Sequence, residues 1–200
     1  MGVDVETVGQ PPELPFFLVA NHLSYIDIPV LASHVGVVFI AKSEIANWPM
    51  VGLICKGANT IFINREVRRD IPRVMKLIHR ELDLGSAIVL FPEGTSSKGE
   101  SVLPFRASLL ETAIRSEMPV SFAALSYDIP EGNVPADLAV CWWGGMPFGP
   151  HLLELLSIRR IRAKVVFGDQ LLTDSDRKLL ASRLHAALLE KFEPTAQETS

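Results

Sequence analysis

The chain has 200 residues, of which 48% are apolar and 21% charged, with a formal net charge of −4 at pH 7. These values suit one domain with a two- or three-layer core, exclude a disordered chain, and give no sign of the basic excess or stripe that marks a nucleic-acid footprint. Two distant cysteines, Cys55 and Cys141, and five scattered histidines suggest neither a disulfide framework nor a metal site, so no metal and reduced, cytosolic thiols are expected.

Gly2 to Gly9 alternates loosely through Val3, Val5 and Val8 and predicts an edge strand, followed by a proline-containing turn over Gln10 to Glu13. The acidic start does not read as a cleavable signal peptide. Phe16 to Ala20 is an apolar, strand-type run that ends abruptly in Asn21-His22, and Asp27 follows five residues after the histidine. In an α/β sheet the residues after a buried strand arrive at the edge where ligands bind. Residues five apart on a regular helix point about 140° away from each other, so His22 must precede the helix and fold back to meet Asp27. The helix opens either at Ser24, through the Ser24-x-x-Asp27 capping box, or at Asp27 as N-cap with Pro29 in the first turn. An aspartate that accepts the proton of one imidazole nitrogen fixes the tautomer and leaves the other nitrogen basic, as a general base requires. Taken alone, the same residues also fit a helix cap beside an ordinary loop histidine.

The helix runs on through Ile28 to Ser33 and ends at Gly36. Val37 to Ala41 predicts a second buried strand closing on Lys42, and the apolar segment Glu44 to Cys55 a helix interrupted at Trp48-Pro49. Asn59 to Ile63 predicts a third strand, ending in Asn64-Arg65. Asp70 to Leu84 has the clearest helical period, with Asp70 as cap, Pro72 in the first turn, Val74, Leu77, Ile78 and Leu82 on one face, and Gly85 as stop. Ala87 to Phe91 is a fourth strand, followed by Pro92-Glu93-Gly94-Thr95-Ser96-Ser97. A helix over Phe105 to Glu117, strands over Val120 to Tyr127 and Leu138 to Trp143, a short helix over Phe148 to Leu156 and a last strand over Ala163 to Phe167 complete the pattern. A terminal amphipathic helix follows, capped by Thr173 or Asp174, with Leu180, Leu184, Ala187 and Leu188 on its face. The alternation predicts a single α/β domain over residues 1–194, with a frayed tail at 195–200. The longest uncharged stretches, Leu14 to Ile26 and Ile28 to Ala41, are too short or too interrupted to span a bilayer.

Polar or charged residues follow four strand-like runs: Asn21-His22, Lys42, Asn64-Arg65 and Glu93-Gly94-Thr95. Parallel strands of one sheet would bring these to one rim, where a base, two cations and a polar turn share a cleft. In order and spacing, Asn21-His22-x-x-x-x-Asp27, Ile40-Ala41-Lys42-Ser43-Glu44, Ile61-Phe62-Ile63-Asn64-Arg65, Phe91-Pro92-Glu93-Gly94-Thr95 and Pro104-Phe105-Arg106 resemble the glycerolipid acyltransferases, the 1-acyl-glycerol-3-phosphate and lysophospholipid acyltransferase type. The resemblance runs from about Gly9 to about Leu171.

It implies a mixed, largely parallel central sheet flanked by helices, and an O-acyltransferase that moves a fatty acyl group from an acyl thioester, acyl-CoA or acyl-carrier protein, to the hydroxyl of a lysoglycerolipid, foremost 1-acylglycerol-3-phosphate. No bound cofactor is implied. By resemblance His22 is the general base and Asp27 its partner, Lys42 and Arg65 contact the acceptor's phosphate, and Glu93, Gly94, Thr95 and Ser96 shape the acceptor site, Glu93 by binding a glycerol hydroxyl or anchoring Arg65. Two residues depart from the family pattern. Ser96 stands where phosphatidic-acid-forming members usually carry arginine, which points to a lysophospholipid with a masked head group as the alternative acceptor unless Lys98 substitutes. Asn64 stands where an aspartate commonly precedes the arginine.

Family members usually carry an apolar segment before the histidine motif. Either this sequence is a piece of a longer chain that carries one, or docking at the cytoplasmic face of a membrane uses the surface, through Ile45 to Cys55 or an interfacial helix running from Trp142-Trp143 through the leucines at 152, 153, 155 and 156 to Arg159, Arg160, Arg162 and Lys164. A thioesterase and a catalytically silent lipid-binding protein are the rival classes. No Gly-x-Ser-x-Gly elbow supports a serine esterase, and both His22 and Asp27 are present.

Overall fold

The computed structural model describes residues 1–34, 36–48, 51–64, 67, 69–130 and 134–195. Its centre is a seven-stranded sheet built from β1 (Gly2–Val8), β2 (Phe17–Ala20), β3 (Val37–Lys42), β4 (Ile61–Ile63), β5 (Ala87–Leu90), β6 (Val120–Asp128) and β7 (Arg160–Phe167), in the order β1-β7-β6-β2-β5-β3-β4. All neighbours are parallel except β6 and β7. β2 and β5 are uninterrupted apolar runs because both of their faces are covered. Alternate residues therefore enter different layers. Leu18 and Ala20 join a core beneath α1 (Asp27–Ala32), α2 (Val51–Gly57) and α6 (Phe148–Ser157), while Phe17 and Val19 join a core beneath α3 (Asp70–Asp83), α4 (Glu111–Arg115) and α7 (Arg177–Leu189).

The connection leaving β2 crosses the first face toward β3, and the one leaving β5 crosses the second toward β6. Adjacent crossovers that part in this way open a crevice at the carboxyl ends of their strands. His22 after β2, Lys42 at the end of β3 and Gly94 to Ser96 after β5 line that crevice, whereas Asn64 after β4 faces a separate hollow beside α3.

Several local expectations are corrected. Leu138 to Trp143 is not a strand: β6, the strand before it, already pairs on both sides with β2 and β7. Instead α5 (Ala136–Ala139) forms after Pro135, and the amide of Trp142 donates to the carbonyl of Leu23 at 2.9 Å. The helix expected from Phe105 begins as a 3₁₀ turn over Ala107–Leu110 and becomes α4 only at Glu111, because the Arg106 amide is drawn to the Pro92 carbonyl at 2.8 Å. Likewise 43–47 is a 3₁₀ turn ahead of α2. α7 is capped by Asp176, whose carboxylate accepts the amides of Lys178 and Leu179, and not by Thr173 or Asp174. Asp70 opens α3 as its first residue behind Arg69 as N-cap, with its carboxylate turned to Arg73 and to the Asn64 amide.

The basic residues after α6 do not extend an interfacial helix. Arg160, Arg162 and Lys164 alternate with buried Ile161, Ala163 and Val165 along β7 and pair with Asp4, Asp128 and Glu193. Thr195 is not frayed: it is 9% exposed, its amide donates to the Gly99 carbonyl at 2.8 Å, and its Oγ1 accepts the Tyr127 amide at 3.0 Å. No helix among the described residues is long and apolar enough to cross a membrane.

Candidate active site

The loop after β2 is held on both sides before any catalytic atom is considered. Asn21 is fully buried and mimics one more ladder step, its Nδ2 donating to the Leu125 carbonyl at 2.9 Å and its Oδ1 accepting the Leu125 amide at 2.7 Å. The next residue, His22, turns back toward the helix N-terminus. Its Nδ1–H donates to Asp27 Oδ2 at 2.8 Å, and the same oxygen accepts the amides of Leu23 at 2.7 Å and Ser24 at 3.0 Å. Neither expected cap is present: Ile26 occupies the N-cap, and Asp27 begins the helix with its carboxylate reaching backward into the loop. Asp27 is 0% exposed, and its other oxygen, Oδ1, accepts the Tyr127 hydroxyl at 2.6 Å. Because a carboxylate here is an acceptor only, Nδ1 carries the imidazole proton and Nε2 is the basic nitrogen. The ring stacks on Phe91 at 4.3 Å between centroids.

His22 lines a cleft of about 440 Å³ together with Lys42, Gly94, Thr95 and Ser96. Its deeper walls are apolar, among them Tyr25, Ile28, Phe39, Val51 and Trp142. Tyr25 is set by a buried chain in which its hydroxyl donates to His151 Nδ1 at 3.0 Å and His151 Nε2–H donates to the Cys141 carbonyl at 3.0 Å. Burial raises Tyr25 to about 12 and lowers His151, so both stay neutral. Cys55 also lines the cleft, but burial pushes its thiol up and away from the thiolate that a nucleophile requires.

The turn after β5 closes the opposite side. Gly94 donates its amide to the Phe91 carbonyl at 3.2 Å with φ +74°, and a Cβ there would lie 3.2 Å from the Arg106 side chain, so the position excludes larger residues on two counts. Glu93 does not face the cleft. It is 2% exposed, its Oε1 accepts the His22 amide at 2.9 Å, and its Oε2 has no partner among the described residues. The Ser97 amide donates to the His22 carbonyl at 2.9 Å, so the turn clamps the histidine's backbone from both peptide groups. Ser96 turns its hydroxyl to the Trp142 carbonyl, and Lys98 is engaged by Glu100 at 2.8 Å and Asp137 at 3.6 Å. Lys42 stands exposed at the rim. Arg65 lies outside the described residues; the Asn64 amide before it donates to Asp70 Oδ2 at 2.7 Å.

Burial is the main force on the Glu93 carboxyl, and the charge of Asp27 adds to it, against the His22 and Leu103 amides; the group is pushed from 4.5 to about 8. The unfolded chain releases this proton near the ordinary value, whereas the folded chain holds it to about 8. Between those limits the unfolded state binds fewer protons, so folding stability falls as pH rises through the window and levels off above it. Glu93→Gln is expected to abolish that slope and raise stability at neutral pH by on the order of a few kcal/mol, offset in part by an amide nitrogen left without an acceptor. Denaturant midpoints of both proteins across the window test this; an unchanged slope in the variant would assign it to another group.

Sequence reading expected His22, Asp27, Lys42 and the Glu93–Ser96 turn at the site; the structure places His22, Lys42, Gly94, Thr95 and Ser96 around the cleft, with Asp27 buried behind the histidine and Glu93 turned away beneath its backbone. The reading missed Asn21 as a clamp and Tyr127 altogether, since a tyrosine inside an apolar strand carries no signal of what it touches.

The acyltransferase family model matches residues 3–126. A lyso-ornithine lipid O-acyltransferase of Brucella abortus is 35% identical over 98% of this chain and 81% of its own length. A 1-acyl-sn-glycerol-3-phosphate acyltransferase of Neisseria meningitidis is 40% identical over 80% of this chain and 63% of its own. Among solved structures, PlsC, the 1-acyl-sn-glycerophosphate acyltransferase of Thermotoga maritima, superposes with a TM-score of 0.59 at 23% identity, covering 98% of this chain and 74% of that one, which establishes the shared fold. With its family match spanning most of the chain, and relatives above the identity at which family membership is secure, the chain belongs to the PlsC-like acyltransferase family of enzymes.

Proposed function

We propose that this enzyme transfers a fatty acyl group from an acyl thioester to the free hydroxyl of a lysolipid, with His22 as general base and Asp27 as its partner. The observation that carries this reading is a histidine whose Nδ1 is locked onto a buried aspartate while its ring lines a cleft with apolar walls and Lys42 at its rim. In the reaction Nε2 takes the proton of the acceptor hydroxyl as its oxygen attacks the thioester carbonyl. Collapse of the tetrahedral intermediate breaks the C–S bond, and the proton on His22 passes to the leaving thiolate. Asp27 stabilises the transient imidazolium. No acyl-enzyme is required, in keeping with the protonated Cys55 thiol.

A lysolipid whose head group is not a phosphate monoester suits the rim best. Ser96 supplies no cation and spends its hydroxyl on Trp142, and Lys98 is held by two carboxylates. Several relatives that align along most of this chain are named for lyso-ornithine lipid as acceptor. Exposed Lys42 in the cleft favours the second reading, 1-acylglycerol-3-phosphate, the acceptor for which the Neisseria relative is named. At the cleft, Trp48 is 46% exposed and meets Trp142 edge-on at 6.0 Å, and Leu53 on α2 is 66% exposed, which supports peripheral contact with a membrane.

The test is acyl transfer by the purified protein with liposomes, offering acyl-CoA or acyl-carrier protein against lysophosphatidic acid, lyso-ornithine lipid and head-group-bearing lysophospholipids. Preference for an acceptor without a phosphate monoester is expected. Turnover of lysophosphatidic acid alone would favour the second reading, and thioester hydrolysis without transfer would overturn both.

A further inference from the structure

Resting on the proposed roles of His22 and Asp27, we propose that Tyr127 is a positioning residue of the transfer reaction, acting through Asp27 to aim and tune the catalytic histidine. The three donors on Asp27 Oδ2 all come from its own loop, His22 Nδ1 and the amides of Leu23 and Ser24. By themselves they leave the plane of the carboxylate free to rock about its last torsion. The Tyr127 hydroxyl takes Oδ1 at 2.6 Å from β6, a strand 100 residues away that is stitched to the loop through Asn21 and Leu125 and to the chain's end through Thr195. With both oxygens held, the lone pair facing Nδ1 has one direction, and the negative charge is shared between two hydrogen-bonded oxygens.

The surrounding groups suit that role. Tyr127 is 4% exposed, and burial together with the charge of Asp27 holds its phenol well above the ordinary value, so it remains a donor throughout the working range. The other titratable groups facing the pair are Glu93 beyond β5 and Cys141 beyond α5. Both are shifted upward by burial and by the charge of Asp27, so at neutral pH they add no second negative charge. Tyr127 is also a member of the core beside Leu125 and Ala163, which its ring serves and its hydroxyl does not.

Tyr127→Phe keeps the ring and removes only the hydroxyl. Asp27 Oδ1 is then buried without a donor, and the charge concentrates on the oxygen facing His22. The acid limb of the kcat/KM profile is expected to move up by about one unit and kcat to fall about tenfold, with the acceptor KM unchanged. A second measurement uses Asp27→Asn: adding Tyr127→Phe to it should slow the enzyme no further, because the hydroxyl acts through the carboxylate. A variant with a lower Tm but the wild-type pH profile, or full additivity with Asp27→Asn, would overturn the proposal and leave Tyr127 a packing residue. The parent reading is tested separately by His22→Ala, whose activity must collapse whatever Tyr127→Phe does.

Discussion

Replacing His22 with alanine is expected to reduce acyl transfer by about 10²- to 10⁴-fold, the range associated with a positioned general base, while the protein stays folded. The second half of that statement follows from where the loop's bonds are made. The interactions that hold residue 22 use its backbone, the amide to Glu93 Oε1 and the carbonyl to the Ser97 amide, and alanine retains both. What is lost is a side chain that is 22% exposed, its stacking on Phe91, and one of three donors on Asp27 Oδ2. A stability change of about 1 kcal/mol is expected, far smaller than the kinetic effect. Product formation on liposomes and a denaturant melt, made on the same preparation, check the two halves together. Transfer at the wild-type rate would remove His22 from the chemistry, and unfolding would assign it a structural role instead.

Asp27→Ala should behave differently, because the same carboxylate serves the reaction and the fold. It accepts from two loop amides, from the histidine and from the Tyr127 hydroxyl, and it is buried completely. Alanine leaves those donors without an acceptor in a space too closed for bulk water. Each such group costs about 1–3 kcal/mol, and since they share one neighbourhood the sum is less than additive; a net loss of roughly 3–5 kcal/mol is expected along with activity. Asp27→Asn retains one acceptor oxygen and should be the more stable of the two, yet its amide cannot hold the imidazole in the same tautomer while satisfying the loop, so activity is expected to fall about 10³-fold or more. Denaturant unfolding beside single-turnover kinetics separates the effects. Asp27→Ala as stable as His22→Ala would show that the loop finds other acceptors and that the carboxylate acts on the histidine alone.

Those two residues were also the most legible part of the chain. An apolar run broken by Asn21-His22, with Asp27 at a spacing that forbids contact within one helix, already required a loop that folds back. The alternation of strand-like runs with helical segments gave the α/β class, and the largely parallel sheet was what the resemblance implied. Helix ends were read less well. Ser24, Asp70 and Asp174 all have the chemistry of a cap, but whether a side chain caps its own helix or turns to a neighbour depends on what that neighbour offers. Asp70, facing Arg73 and the Asn64 amide, and Asp176, facing the first amides of α7, have like side chains and opposite uses. Leu138 to Trp143 has strand-like composition and is no strand, because its backbone is taken up by α5 and by the Leu23 carbonyl, partners that composition does not report.

Local order therefore arose from the linear pattern: two-sided burial of the central strands, the faces of α3 and α7, and the histidine–aspartate spacing are written in residues close to one another, where periodicity and sterics act directly. The direction of each buried polar group was set by distant chain segments. Glu93 looked like an acceptor-binding residue and is instead a buried clamp on the His22 amide; Lys98 looked available and is held by Glu100 and Asp137; Tyr127 looked like core and donates to Asp27 from 100 residues away. A buried hydrogen bond must be completed by whatever group packing brings within reach, and that partner exists only once the layers have closed.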